Sequence, residues 1–332
     1  MNTIDLVVPY VDSTDPAWQE LFNKYNPIKD KEVEGINAKN RFRGQGDFFR
    51  FFFRGIEKFA PWVRTVHLLV QSESQIPKWI NRNEVHVVLH EQFMPKEFLP
   101  TFNSTAIEMF LWNIPGLSEK FVYANDDFFI TNYINRDNLF QDVSVVAEVF
   151  KVTRLQNSMY QTHVDNSYKE IYHNLQDGVM TIGHTLRPYF KSDMVECFNR
   201  HKEAILKSIS MFRETKNFNV YLYTFDLMRK GKIINEKRVP SCCIYSLTGA
   251  LRMPTKMVTC IQDVDGEANI YENKDLISLY KQKFTSISKY EDPTVLGGIT
   301  EEQIQKVDYI VSNMPEEMRD KMKESILRSW AI

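Results

Sequence analysis

The sequence predicts an α/β fold: a mostly parallel sheet flanked by helices, with a mainly helical insertion at about residues 188–231 and a helical C-terminal tail. Two observations carry this expectation. Strand-length apolar runs, rich in β-branched residues, recur at "IDLVVPYV", "VRTVHLLVQ", "VHVVLH" and "FVYAND", and most are separated by segments of helical length, spacing or capping. The runs are apolar almost throughout rather than alternating, as strands covered on both faces are.

"IDLVVPYV" gives the first strand, and Asp12-Ser13-Thr14-Asp15-Pro16 supplies turn and cap residues for a helix at about 16–25. "DFFRFFFRGIEKFA", 47–60, has helical length, and "PW" stops it before the second strand. After the third strand, 85–90, "NSTAIEMFLWNI" starts at the N-cap residues Asn103 and Ser104 and is closed by Gly116. The fourth strand runs into Asn125-Asp126-Asp127. Residues 141–180 read as mixed strand and loop, and "KMVTCIQDVDG" as a strand. In the tail, "EEQIQKVDYIVSNM" and "PEEMRDKMKESILRSW" have acidic starts and basic later turns, as helices do. With no repeat and no low-complexity linker, the expected organisation is one catalytic unit over 1–266, with an extension at 267–332 packed on it.

Of 332 residues, 41 are Lys or Arg and 43 are Asp or Glu, so the broad basic footprint that nucleic-acid binding requires is absent. The four cysteines, Cys197, Cys242, Cys243 and Cys260, show no zinc spacing, and adjacent Cys242 and Cys243 suit no ordinary disulfide, which favours a reducing compartment. The N-terminus reads as a strand rather than a signal peptide, and no run reaches about 18 apolar residues, the length that spans a bilayer. A cytoplasmic protein is expected, with peripheral attachment to the inner face of the membrane left open. The sequon at Asn103 then has no glycosylation machinery to meet it, and a helix cap is its sounder role.

The chemistry is expected beyond the carboxyl ends of the strands, where such sheets bind ligands, and where Asp12 and Asn125–Asp127 fall. Adjacent carboxylates in an apolar setting repel each other and persist most readily beside a cation or backbone N–H donors. Mg2+ or Mn2+ held by Asp126 and Asp127 together with diphosphate oxygens is the sharper reading. A loop cap or an arginine pairing is the plainer one. Arg41, Arg43, Arg50, Arg54, Arg187 and Arg213 offer guanidinium forks for phosphate, although a surface ion pair is the default for any one of them. His184, beside Gly183 in a loop, is placed to act as a base or phosphate donor. His67, His86 and His90 read as packed or edge residues. In "CIQDVDGEAN" an Asp-x-Asp could meet metal or ribose, but its glycine is misplaced for a calcium loop.

These stretches together resemble the Stealth family of hexose-1-phosphate transferases, which includes bacterial capsular-polysaccharide phosphotransferases and the catalytic subunit of the lysosomal-enzyme N-acetylglucosamine-1-phosphotransferase. "IDLVVPYVDSTDPAW" resembles its first block. "RFRGQGDFFRFFFRGIEKFAPWVRTVHLLVQSESQIPKWI" with "LPTFNSTAIEMFLWNIPGLSEKFVYANDDFFI" resembles its long second block. "GHTLRPYFKSDM" with "MFRETKNFNVYLY" resembles the third and "MVTCIQDVDG" the fourth, over about residues 4–266. The chain departs from the family at Pro9-Tyr10-Val11 and at Gln262, where an asparagine is usual.

The resemblance implies a Rossmann-like, glycosyltransferase-A-like sheet and a divalent cation. It also implies transfer of a hexose-1-phosphate, N-acetylhexosamine-1-phosphate for instance, from a UDP-sugar to a glycan or lipid-linked saccharide hydroxyl, with UMP leaving. Carried over residue by residue, Asp126, Asp127, His184 and Arg213 become catalytic, and Asp12, Asn103, Asn125 and Asp263 substrate-binding; Arg54, for its guanidinium, and Gln262, which keeps an amide at the departing position, are expected to bind substrate beside them. The rival readings are a metal-dependent glycosyltransferase that releases UDP and a non-catalytic glycan-binding protein.

Overall fold

A computed structural model describes residues 3–26, 42, 44–152, 158–173, 179–262, 269–295, 301–312 and 314–330. Its centre is a five-stranded sheet built on β1 (Ile4–Pro9), β2 (Val63–Val70), β3 (Val85–Leu89) and β4 (Lys120–Tyr123). The order is Arg187–Phe190, β4, β1, β2, β3; the four numbered strands are parallel and the edge strand Arg187–Phe190 is antiparallel to β4. The α/β, mostly parallel expectation therefore holds. The sequence reading assigned no strand to Arg187–Phe190, because Pro188 breaks the pattern; an edge position tolerates a residue that cannot donate to a ladder.

Helix α1 (Pro16–Tyr25) lies where the sequence puts it, capped by the Asp15 carboxylate, which accepts from the N–H groups of Ala17 and Trp18. Helix α2 (Arg50–Phe59) buries Phe51, Phe52, Phe53 and Ile56 and lies so close to the next strand, β5 (Phe128–Ile130), that a Cβ on Gly55 would sit 2.4 Å from the Ile130 carbonyl oxygen. Only glycine allows that approach. The helix expected from Asn103 to Ile114 is cut short: α3 (Ser104–Glu108) ends in a turn. Every residue from Thr105 to Leu111 is buried, so packing on all sides overrides the helical spacing. Within the 141–180 region, α4 (Met159–Tyr172) was missed; it turns His163 and Ser167 inward along with Val164, Tyr168 and Ile171, and that polar content blurs its apolar stripe.

β4 leaves the main sheet at Tyr123, turns through Asn125–Asp127 with the Phe128 N–H on the Asn125 carbonyl at 3.1 Å, and enters a second, small sheet as β5. That sheet runs Ser241–Ile244, Val258–Ile261, β5, with Cys243 paired to Cys260 and Cys260 to Phe128. The two acids therefore sit at the point where the chain passes from one sheet to the other.

After the edge strand come helices Lys191–Arg200, Lys202–Ser208 and Tyr221–Arg229, the helical insertion expected there. The segment after 269 is not an attachment to a finished core: Ile270, Tyr271, Leu276, Tyr280, Phe284 and Tyr290 are part of the central cluster. Within that segment, helices Glu301–Ser312 and Glu316–Trp330 form a small cluster of their own, around Val307, Val311 and Leu327. Among the described residues no helix is long and apolar enough to cross a membrane.

Candidate active site

A cleft of about 730 Å3 opens beyond the carboxyl ends of the parallel strands. It is lined by Pro9, the last residue of β1, and the adjoining Tyr10, by Asn125, Asp126 and Asp127 after β4, and by His184, Arg187, Tyr221 and Gln262. Tyr10 stacks on Phe49 with ring centroids 4.7 Å apart, which ties this lining to the aromatic core.

Asp126 and Asp127 are half-buried. Burial, then the neighbouring Asp127 charge, pushes the Asp126 carboxyl up to about 7, against the opposing effect of backbone N–H donors. One oxygen of Asp127 (Oδ2) lies 3.3 Å from the Cys260 sulfur. His184 presents its ring edge-on to Phe128 at 4.8 Å, and its Nε2 lies 3.3 Å from the Gln262 amide nitrogen. Burial, assisted by the charge of Arg187, lowers its pKa to about 4, so the ring is neutral at physiological pH.

Arg187 is one of several arginines the sequence offers for phosphate, and among the described ones it is the one the fold buries, at 3% exposure in the cleft wall. Its guanidinium lies 5.2 Å from the Tyr221 ring centroid and 5.8 Å from that of Phe128. Arg213 lines the cleft from the loop before Tyr221, donating to the Ser104 hydroxyl at 2.9 Å. Glu108, not singled out from sequence, also lines the cleft. It accepts from the Val220 N–H at 2.7 Å and the Tyr123 hydroxyl at 3.2 Å, and burial lifts its pKa against those bonds and the Arg187 charge. The signal available in the sequence was a glutamate among apolar residues in "AIEMFL".

Three of the expected binding residues are engaged by protein groups. Arg54 is outside the cleft, in a two-point ion pair with Glu291 at 2.8 Å for each bond. Asp12 does not line the cleft either. Its Oδ1 accepts from the Thr14 N–H at 2.8 Å and hydroxyl at 2.7 Å, which builds the turn ahead of α1. Asn103 does line the cleft, but its amide is saturated by protein. Its oxygen caps α3 through Thr105, and its nitrogen donates to the Ser210 and Phe212 carbonyls and to the Asn217 side chain. It positions the loop that carries Arg213. Asp263, Arg41 and Arg43 lie outside the described residues. His90, expected to be a packed or edge residue, is buried and also lines the cleft, as do Gln45 and Gln71. Among the described residues neither His90 ring nitrogen nor either polar atom of the Gln71 amide has a hydrogen-bond partner.

Residues 41–148 match the model of Stealth protein conserved region 2. A capsular polysaccharide phosphotransferase WcwK of Streptococcus pneumoniae is 37% identical over 268 residues, covering 70% of this chain and 80% of the relative. The chain belongs to the Stealth family. It is a transferase. A second pneumococcal WcwK is 25% identical over 334 residues, covering 88% of this chain and 99% of the relative. Among solved structures, the galactosyltransferase LgtC in complex with donor and acceptor sugar analogs aligns over 96% of this chain and 99% of its own, at 10% identity and a TM-score of 0.41. The matched Stealth region runs from the glycine-bearing turn before α2 to the end of the strand Ser144–Ala147, and it contains both aspartates and the sheet junction that presents them.

Proposed function

We propose that this Stealth protein transfers a hexose-1-phosphate from a UDP-sugar, UDP-N-acetylhexosamine for instance, to a hydroxyl of a glycan or lipid-linked saccharide, releasing UMP, in capsule or cell-surface polysaccharide synthesis. The observation that carries the reading is the convergence of Asp126 and Asp127 with buried Arg187 and with Arg213 on one cleft. In phosphoryl transfer the charge to be stabilised lies on phosphate oxygens, for which guanidinium groups are matched. The acceptor hydroxyl attacks the phosphorus that carries the sugar, its proton passes to a carboxylate, the bond from phosphorus to the UMP oxygen breaks, and UMP leaves. A carboxylate of the Asp126–Asp127 pair takes that proton. Neutral His184 donates a hydrogen bond to phosphate, and the unpartnered amide and ring atoms of Gln71 and His90 offer polar contacts for the nucleotide.

The aspartates form an all-oxygen donor set, which fits magnesium or manganese held by carboxylates and substrate phosphates. Asp127, with Asp126 beside it, would hold the cation, which when bound would neutralise the acidic pair and draw charge from the phosphate oxygens. The enzyme would work in the cytoplasm, at the inner face of the membrane, where UDP-sugars meet lipid-linked acceptors.

The deciding experiment is incubation of the purified protein with a panel of UDP-sugars, an acceptor saccharide and magnesium, with the nucleotide product identified. UMP and a phosphodiester-linked product are expected. UDP with a glycoside product would instead establish a glycosyltransferase, and binding without turnover a glycan-binding protein. Asp127→Asn and His184→Ala should each depress turnover; full turnover by both would refute the site. Turnover that persists in excess chelator would remove the cation.

A further inference from the structure

We propose that Cys243, Cys260 and His184 form a binding site for a thiophilic divalent cation, Zn2+ above all, beside the catalytic cleft that His184 lines, and that filling it shuts the enzyme off. One ligand atom from each lies within 4.8 Å of the other two. In a tetrahedral zinc site with bonds of about 2.0–2.3 Å the ligand atoms are roughly 3.4–3.8 Å apart, so a shift of about an ångström closes the set.

The arrangement is built by the fold. Cys243 and Cys260 are direct partners in the parallel ladder of the small sheet, which places their side chains on one face. His184 reaches that face across 59 and 76 residues of sequence, and its ring is steadied by Phe128, the ladder partner of Cys260. Neighbouring Cys242 alternates to the other face, where its sulfur lies 3.8 Å from the Thr259 hydroxyl. Spacing in the chain concealed the set because its three members come from different segments.

Two thiolates and an imidazole make a soft donor set that prefers zinc to magnesium, and three protein ligands leave a fourth position for water or a carboxylate. Asp127, with Oδ2 at 3.3 Å from the Cys260 sulfur, is the neighbouring carboxylate. Binding would release the thiol protons and would engage His184 and the surroundings of Asp127, both assigned to catalysis above. A second grouping, Cys197, His201 and Asp226, is less fit. Its Asp226 is already neutralised by Arg200, Arg229 and Lys230, and its His201 is paired with Glu170.

The binding claim stands on this geometry alone; the loss of activity rests on the proposed function. Equilibrium dialysis of the purified full chain against Zn2+, with metal analysis, tests the first. One equivalent should bind to the parent, to Cys242→Ala and to Cys197→Ala, and be lost in Cys243→Ala. The Co2+-loaded parent should show a thiolate-to-cobalt charge-transfer band that Cys243→Ala lacks. Cys260→Ala, checked for folding by circular dichroism, should behave like Cys243→Ala. Equal zinc retention by the parent and Cys243→Ala, or a cobalt spectrum without thiolate bands, overturns the site. Magnesium-supported turnover should then fall in the parent in proportion to zinc occupancy, with Cys243→Ala losing that sensitivity. Zinc bound with turnover undiminished overturns the inhibitory role. Zinc bound to a protein that turns over no UDP-sugar leaves the site intact and refutes the proposed function instead.

Discussion

Arg54→Met separates an arginine that serves the fold from one that serves the substrate. The Arg54 side chain is 12% exposed and its partner Glu291 is fully buried. Two bonds of 2.8 Å join them, and a third, of 3.2 Å, runs from the guanidinium to the Phe284 carbonyl. Methionine keeps most of the length but removes every donor. Glu291 would then face the interior with the Ser288 N–H and hydroxyl, at 2.9 and 3.0 Å, and the more distant charge of Arg50 to stabilise it. Breaking a buried pair by removing one partner costs about 3–5 kcal/mol, most of it the penalty of the abandoned charge. Urea unfolding should register that loss as a lower midpoint. The double variant Arg54→Met/Glu291→Leu should recover a large share of it, since no uncompensated carboxylate is left. The KM for donor, measured at a temperature where the single variant is folded, should stay near that of the parent. Parental stability combined with a raised KM would refute this account and return Arg54 to the cleft.

Three further perturbations test the site and its support. Because Asp126 titrates near 7 rather than at the ordinary 3.8, a cation must displace its proton, so apparent magnesium affinity by calorimetry should rise about tenfold per pH unit up to 7 and flatten above. The same raised pKa means the ligand-free folded form holds the extra proton, so its stability should fall as pH climbs from about 4 to 7, and a flat profile would contradict the assignment. Asp5, fully buried, opposes burial with bonds to His67 and Arg64 that hold its carboxyl well below the usual range. Its stabilisation is complete above the ordinary carboxylate pKa and lost as pH falls; Asp5→Asn should lower stability at neutral pH and flatten the acid limb of the unfolding curve. Asn103→Asp keeps the cap oxygen of α3 but loses the three donations that hold the 210–217 loop, so kcat should fall through Arg213 with the helix intact. Asn103→Ala should lose about 1 kcal/mol in urea unfolding through the missing cap, and Asn103→Asp more, because its buried carboxylate would face three acceptor oxygens.

Local chemistry was legible wherever its cause was local. The four parallel strands follow from apolar runs, α1 from Asp15 and Pro16, the start of α3 from Asn103, and the acidic pair from its place at the end of a strand. Where the cause lies between distant segments the sequence is silent. Nothing near Arg54 signals that Glu291, 237 positions later, will neutralise it, and nothing near Arg187 signals that it will be the arginine enclosed between Tyr221 and Phe128. Asp12 looked like a ligand for the same reason, since a carboxylate after a strand can equally bind substrate or build a turn.

The sequence by itself determined the strand runs, the principal caps, the acidic pair and, through its ordered blocks, the family. Only the tertiary structure decided which charges are already answered by protein and which face the cleft. It also brought the Cys260 sulfur to Asp127 across 133 residues. The physical reason is that backbone periodicity is written in neighbouring residues, whereas a carboxylate's partner is set by whichever strand pairs beside it, and that pairing carries no spacing to be read.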